Sequence, residues 1–269
     1  MGDLVKKAPS STSKRSSSRK TYRKSLVEVS PLTPSQKEFF EKYDSGYGLV
    51  LSGSAGCGKT FISLFKALEE SKESNYKKSV TIVRSVVPTR DMGFLPGTQK
   101  EKESAYTVPY EALVNSLYGD SNAWNTLNEM GVINFLTTSY IRGITLKNSI
   151  VIVDECQNCN FHELDSIITR LGSGSRIIFA GDYKQSDFTK ESDKGGLKKF
   201  MRIINRLNYF VEIKFDWSDI VRDGVVRDYV MTKEIIENEE TAQTEVVTFG
   251  DGSKFIPNRQ EEWSPGDDK

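Results

Sequence analysis

The sequence predicts an α/β domain in which a parallel sheet is covered by helices on both faces, and three observations predict it. Short apolar runs alternate with helical stretches across residues 31–231, and strands of a parallel sheet buried on both faces read as such runs. A glycine-rich segment separates one run from an amphipathic stretch, and two later runs each end in a polar cluster.

Taken in chain order, Pro34–Tyr43 reads as a helix and Gly48–Leu51 (GLVL) as a short strand. Phe61, Leu64, Phe65 and Leu68 follow at helical spacing. Val80–Val83 is strand-like, Pro109–Leu117 helical and Val132–Leu136 strand-like. Ile150–Val153 is a further apolar strand, followed by a helical pattern over Phe161–Arg170. Ile177–Ala180, a helix at Leu197–Asn205 and a strand at Tyr209–Ile213 complete the domain. Val246–Phe249 is a candidate strand in an otherwise tail-like end.

Composition bounds the function. The chain has 269 residues, 37% apolar and 28% charged, enough for a packed core. Lys+Arg and Asp+Glu are 37 each, so the overall balance predicts no polyanion partner. The distribution says more: residues 1–30 carry net +6 in a Ser-rich context, and residues 232–269 carry net −6. The first segment reads as a solvated tail, as a polyanion-binding arm, or as an arm that folds onto the acidic tail. Its removal is expected to leave basal catalysis unchanged. No apolar run is long enough for a membrane span, and the basic N-terminus has no apolar signal region. With three cysteines and no disulfide framework, the expected setting is reducing and cytoplasmic.

Gly53-Ser54-Ala55-Gly56-Cys57-Gly58-Lys59-Thr60 matches G-x-x-x-x-G-K-[ST] at every fixed position. Glycines let the backbone fold so that its N–H groups face phosphate oxygens, and the following helix adds its positive N-terminal end. All eight residues are therefore candidate nucleotide ligands. Lys59 reaches the β/γ-phosphates and Thr60 binds Mg²⁺ through its hydroxyl. The run Ile150–Val153 ends in Asp154-Glu155. Asp154 is the candidate for holding Mg²⁺, and Glu155 for polarising the attacking water. The doubled acid favours ATP hydrolysis over binding alone. Ile177–Ala180 leads to Gly181-Asp182-Tyr183-Lys184-Gln185, where Gln185 is suited to bridge a γ-phosphate and water. The absence of an N-K-x-D pattern disfavours a GTPase switch.

With these segments placed, the chain resembles the PhoH family of P-loop ATPases, related to the RecA-like first domain of superfamily-one helicases. The resemblance covers about residues 31–231 and rests on several stretches. They are Gly93-Phe94-Leu95-Pro96-Gly97 with Glu101-Lys102 and Pro109-Tyr110, Tyr140–Leu146 with Arg142, Val153–Asn158, Gly181–Asp187, and Asp219-Ile220-Val221-Arg222. Departures are Ile144 for a second arginine, Tyr183 for Pro and Cys156 for Ala. The resemblance implies a P-loop, RecA-like fold, ATP and Mg²⁺ as ligands, action on RNA or another single-stranded nucleic acid, and a homo-oligomer such as a hexameric ring. The rival is a nucleotide-dependent scaffold with slow turnover.

Three weaker signals remain open. Gln36 lies 23 residues before Lys59, where helicases place a glutamine that reads adenine. Arg222 neutralises γ-phosphate charge, in cis or in a neighbouring subunit, or else pairs with Asp219 or Asp223. Cys156-Gln157-Asn158-Cys159 with His162 spells a C-x-x-C, but a structural zinc site wants four ligands.

Overall fold

A computed structural model describes residues 22–85, 99–183, 191–222 and 224–244, together with two short strands at 247–248 and 254–255. Helix α1 (Pro34–Asp44) is capped by the Thr33 hydroxyl, and it is followed by β1 (Gly48–Gly53) and α2 (Lys59–Glu73). Then come β2 (Ser79–Arg84), α3 (Gln99–Tyr118), α4 (Ala123–Glu129), β3 (Ile133–Thr137) and β4 (Ser149–Asp154). The chain continues through α5 (Phe161–Ile168), β5 (Arg176–Gly181), α6 (Glu191–Ile204), β6 (Phe210–Phe215) and α7 (Gly224–Thr244). The last pair, β7 (Val247–Thr248) and β8 (Lys254–Phe255), is antiparallel.

Strands β1 to β6 form one sheet in the order β3-β2-β4-β5-β1-β6, and every pairing is parallel. Successive residues point to opposite faces of a strand, and the two cores divide accordingly. Leu49, Leu51, Val80, Ile82, Ile150 and Ile152 join one cluster with residues of α1 to α4; Val50, Val83, Val151 and Val153 join the other with α5 and α6. The sheet is thus covered on both faces. Strand β5 lies between β1 and β4, so the carboxyl ends of all three open onto one cleft.

The structure departs from the sequence expectations in four places. Helix α3 begins at Gln99 and keeps Pro109 in its interior. A proline is favoured at a helix start, which is why the sequence pattern points to a beginning there. Helix α6 begins at Glu191 rather than Leu197. Two glycines obscure its first half, and Gly196 serves close packing: a Cβ there would stand 3.1 Å from that of Phe161. Helix α7 runs across residue 231, so the acidic tail does not start at 232; Glu234 is 3% exposed and accepts the Trp217 indole N–H at 2.8 Å.

The fourth departure concerns the basic segment. Residues 22–30 are anchored to the domain at several points, with Tyr22, Leu26 and Val29 against its core and most of the others exposed. Val27 N–H donates to the Leu117 carbonyl at 2.8 Å, and the Tyr76 hydroxyl donates to the Tyr22 carbonyl at 3.1 Å. The Tyr22 ring meets Tyr118 edge-on at 5.1 Å, its hydroxyl donates to Asp120, and Lys24 pairs with the same carboxylate. Charge and serine content concealed this anchorage, which uses a few aromatic and backbone contacts.

Candidate nucleotide site

The loop between β1 and α2 takes its shape from its glycines. Gly53, Gly56 and Gly58 adopt φ of +139°, +85° and +78°, values that L-side chains rarely tolerate. A Cβ on Gly53 would lie 2.0 Å from the Phe215 carbonyl oxygen, and one on Gly56 3.1 Å from Cγ of Arg222. The loop is therefore a bare-backbone cradle pressed between the ends of β6 and α2. Lys59 Nζ donates to the carbonyls of Gly53 and Ser54, both at 2.6 Å, which sets its ammonium over the loop.

Thr60, at the start of α2, donates its hydroxyl to Asp154 Oδ1 at 2.9 Å across the cleft. Asp154 ends β4 and is buried. Burial pushes its carboxyl above the ordinary value and the adjoining Glu155 charge adds to this, while hydrogen bonds from Tyr110 and Thr60 act against it. Glu155 follows in a left-handed conformation (φ 51°, ψ 42°), rare outside glycine and characteristic of constrained sites. The turn Cys156–Asn158 holds it there: Asn158 N–H donates to the Glu155 carbonyl at 2.9 Å, and the Gln157 side-chain amide donates to Glu155 Oε2.

Sequence reasoning quoted Gln157 but gave it no role. Its Oε1 accepts the Asp182 N–H at 3.1 Å, so one buried amide ties the end of β4 to the end of β5. Gly181 makes the contact possible, since a Cβ there would stand 2.4 Å from that oxygen. Arg84, at the end of β2, and Tyr110, on α3, were likewise missed as site residues. Arg84 lines the cleft and feels the charges of Glu155 and Asp154. Pro109-Tyr110 belongs to a stretch that carries the family resemblance, but no spacing ties Tyr110 or Arg84 to the cleft.

Gln36 is 3% exposed, and backbone groups engage both ends of its amide. It accepts the Leu32 N–H at 2.9 Å and donates to the Cys57 carbonyl at 3.1 Å. On this geometry it braces the phosphate loop against the segment preceding α1. Arg222 lies against Gly56 in the same chain, and the neighbouring Val221 N–H donates to the Gly56 carbonyl at 3.2 Å. Asp219, considered as its surface partner, is instead buried and accepts from the Ser35 hydroxyl at 2.8 Å. Gln185, Asp223 and Gly93–Gly97 lie outside the described residues, and Arg142 is exposed on the loop after β3.

The cysteines are buried and unpaired by disulfides. Burial pushes the Cys57 thiol up to about 11 and that of Cys156 up to about 12. Neither is a ready thiolate at neutral pH. Among the described residues no group of three His, Cys, Asp or Glu is arranged to hold a metal by itself.

Around these residues the cleft encloses about 870 Å³. Its floor is the phosphate loop with Asp154, Glu155, Gln157 and Asp182, and its walls include Pro109, Tyr110 and Leu113 of α3, Val221 and Arg222, and Val27–Ser30 with Leu32. The segment read as the end of a tail is thus a wall of the site. The residues fit a magnesium nucleotide: the glycines let bare loop backbone line the cleft, and Thr60 with Asp154 offers hard oxygen donors of the kind Mg²⁺ prefers.

A "PhoH-like protein" of Bacillus subtilis (strain 168) is 34% identical over 198 residues, 72% of this chain and 60% of that one. A "PhoH-like protein" of Mycobacterium leprae (strain TN) is 30% identical over 203 residues, 75% of this chain and 57% of that one. The chain thus spans about 60% of the length of the first of these relatives. Among solved structures, the large terminase of a thermophilic bacteriophage aligns at TM-score 0.45 and 10% identity, over 76% of this chain and 50% of that one. The Sulfolobus solfataricus SWI2/SNF2 ATPase core aligns at TM-score 0.42 and 11% identity, over 83% and 60%. The family described as PhoH-like protein matches residues 28–234, beginning within the cleft wall and ending in α7 at the buried Glu234, and over that span this P-loop nucleotide-binding chain belongs to it.

Proposed function

We propose that the protein hydrolyses ATP with Mg²⁺ and couples the reaction to single-stranded nucleic acid, RNA in the first instance. The observation that carries the hydrolytic reading is the convergence of Lys59, Thr60, Asp154, Glu155 and Arg222 on one cleft from separate stretches of chain. The loop N–H groups and the N-terminal end of α2 would hold the β- and γ-phosphates, with the Lys59 ammonium as the main point charge. Thr60 and Asp154 would hold Mg²⁺, which when bound neutralises charge on the phosphate oxygens. Glu155 orients a water for in-line attack and takes its proton as the new oxygen–phosphorus bond forms and the bond to the ADP oxygen breaks. Arg222, beside Gly56, stabilises the charge on the γ-phosphoryl group, and Gln185 bridges that group and the water. Gln36 lines the cleft and keeps one amide hydrogen and one oxygen lone pair beyond its two backbone bonds, so it braces the loop and is also the residue assigned to read adenine.

Coupling to nucleic acid is supported by the basic composition of residues 1–24, which lead directly into the cleft wall. A single RecA-like domain would need a second copy to move along a strand, so a homo-oligomeric ring is part of the proposal. The test is the ATPase rate with and without single-stranded RNA, together with the mass in solution. Magnesium-dependent turnover raised by RNA supports the reading. Tight ATP binding with negligible turnover that RNA does not raise would favour the nucleotide-dependent scaffold.

A further inference from the structure

Asp154 is fixed from two sides, and only one of them belongs to the phosphate-loop machinery. Oδ1 accepts the Thr60 hydroxyl, while Oδ2 accepts the hydroxyl of Tyr110 at 2.7 Å. Tyr110 comes from α3, 44 residues away in sequence, and is 1% exposed. Its ring packs against Phe135 of β3 with centroids 5.8 Å apart, so the phenol has little freedom to turn. Arg84 lines the same cleft and feels the Glu155 and Asp154 charges. The order is therefore Tyr110, Asp154, Thr60, with the carboxylate held between two hydroxyl donors.

We propose that Tyr110 is a positioning residue for the metal-holding carboxylate. Its hydroxyl locks the Asp154 carboxylate plane and so sets the Mg²⁺ affinity of the nucleotide complex. The inference rests on the reading of Asp154 as the residue that holds Mg²⁺. A buried carboxylate with one donor can rotate about its last bond; a second rigid donor removes that freedom and orients the lone pairs left for the metal's hydration shell. Groups that orient metal-holding side chains in this way contribute roughly 10–100-fold to metal affinity.

The experiment replaces Tyr110 by Phe, which keeps the ring against Phe135 and removes only the hydroxyl. Mn²⁺ binding to the protein–ADP complex is read from the paramagnetic resonance of the free ion, and ADP binding without metal and the unfolding temperature are measured alongside. The expected result is Mn²⁺ affinity weakened by roughly 10–100-fold, metal-free ADP affinity near wild type, and a folded protein. The Mg²⁺ concentration for half-maximal ATP turnover should rise by the same factor, with turnover at saturating Mg²⁺ little changed. In an Asp154→Asn background the same substitution should add nothing to the metal defect. Wild-type Mn²⁺ affinity in Tyr110→Phe would overturn the proposal. So would loss of fold, or of metal-free ADP binding, since either would make the hydroxyl a packing element. If the wild-type protein binds Mn²⁺ as expected but does not turn ATP over, the hydrolytic reading fails while the metal-binding arm still decides the role of Tyr110. Unchanged Mn²⁺ affinity in Asp154→Asn would remove the assignment of Asp154 and the proposal with it.

Discussion

Replacing Glu155 with Gln isolates the charge that the proposed reaction needs. The amide has the volume of the carboxylate and still offers an oxygen to the Gln157 side-chain amide that donates to Glu155 Oε2. The left-handed backbone at residue 155 is held by main-chain contacts, the Asn158 N–H to Glu155 carbonyl bond among them, and these do not involve the substituted atoms. Fold and phosphate cradle should therefore survive, and ATP affinity should stay near wild type. What disappears is the group that orients the water and takes its proton. A positioned acid–base group contributes about 10²–10⁴-fold in rate, equivalent to about 2.7–5.5 kcal/mol in activation free energy. The assay combines equilibrium binding of a fluorescent ATP analogue, single-turnover hydrolysis under enzyme excess and a thermal melt. Binding and melting should match wild type while the single-turnover rate falls by the stated factor. A rate near wild type would refute the assignment of Glu155 as catalytic carboxylate, and a parallel fall in ATP affinity and melting temperature would show that the residue supports the turn instead.

Lys59→Ala should abolish measurable turnover and weaken ATP binding without unfolding the protein; normal hydrolysis in that variant would exclude the phosphate-loop assignment. Truncation distinguishes the two parts of the basic segment: removing residues 1–21 should leave melting temperature and ATP affinity unchanged, whereas removing residues 1–30 should lower both, because Tyr22 and Val27 anchor on α3 and Val27–Ser30 line the cleft. Equal behaviour of the two truncations would show that this wall contributes nothing. Glu70 gives a pH-dependent case. Burial opposes its charge, but Lys78, Tyr43 and Arg176 outweigh that and hold its carboxyl below the ordinary value. A depressed folded-state value means that the stabilisation is present above the unfolded-state pKa and is lost as pH falls through the folded one. Glu70→Gln should therefore melt below wild type at pH 7, by about 1–3 kcal/mol once the partial exposure of Lys78 is discounted, and the gap should close below the ordinary carboxylate range; a gap independent of pH would assign the loss to packing.

How much of this could be read from the chain depended on whether the information was local. The phosphate loop, its strand and its helix are contiguous, and the glycines at 53, 56 and 58 are there because a left-handed backbone and close approach by Phe215 and Arg222 exclude any side chain. Asp154-Glu155 was equally legible, because an apolar run that ends in acids is a local signal. The layered α/β class followed from alternating runs, since a sheet buried on both faces needs continuous apolar strands. Strand order was not local. Only the fold places β5 between β1 and β4 and lets Gln157 tie the end of β4 to that of β5. Nor did any spacing bring Tyr110 to Asp154 or seat residues 22–30 on α3, because those contacts join segments tens of residues apart through single side chains. The sequence by itself determined the local pieces of the cleft, a glycine-rich loop running into Lys59 and Thr60 and an apolar strand ending in Asp154-Glu155, since these are set by residue types at short spacing. The tertiary structure alone decided which distant residues touch them, as Tyr110 touches Asp154, since such contacts depend on where the chain returns.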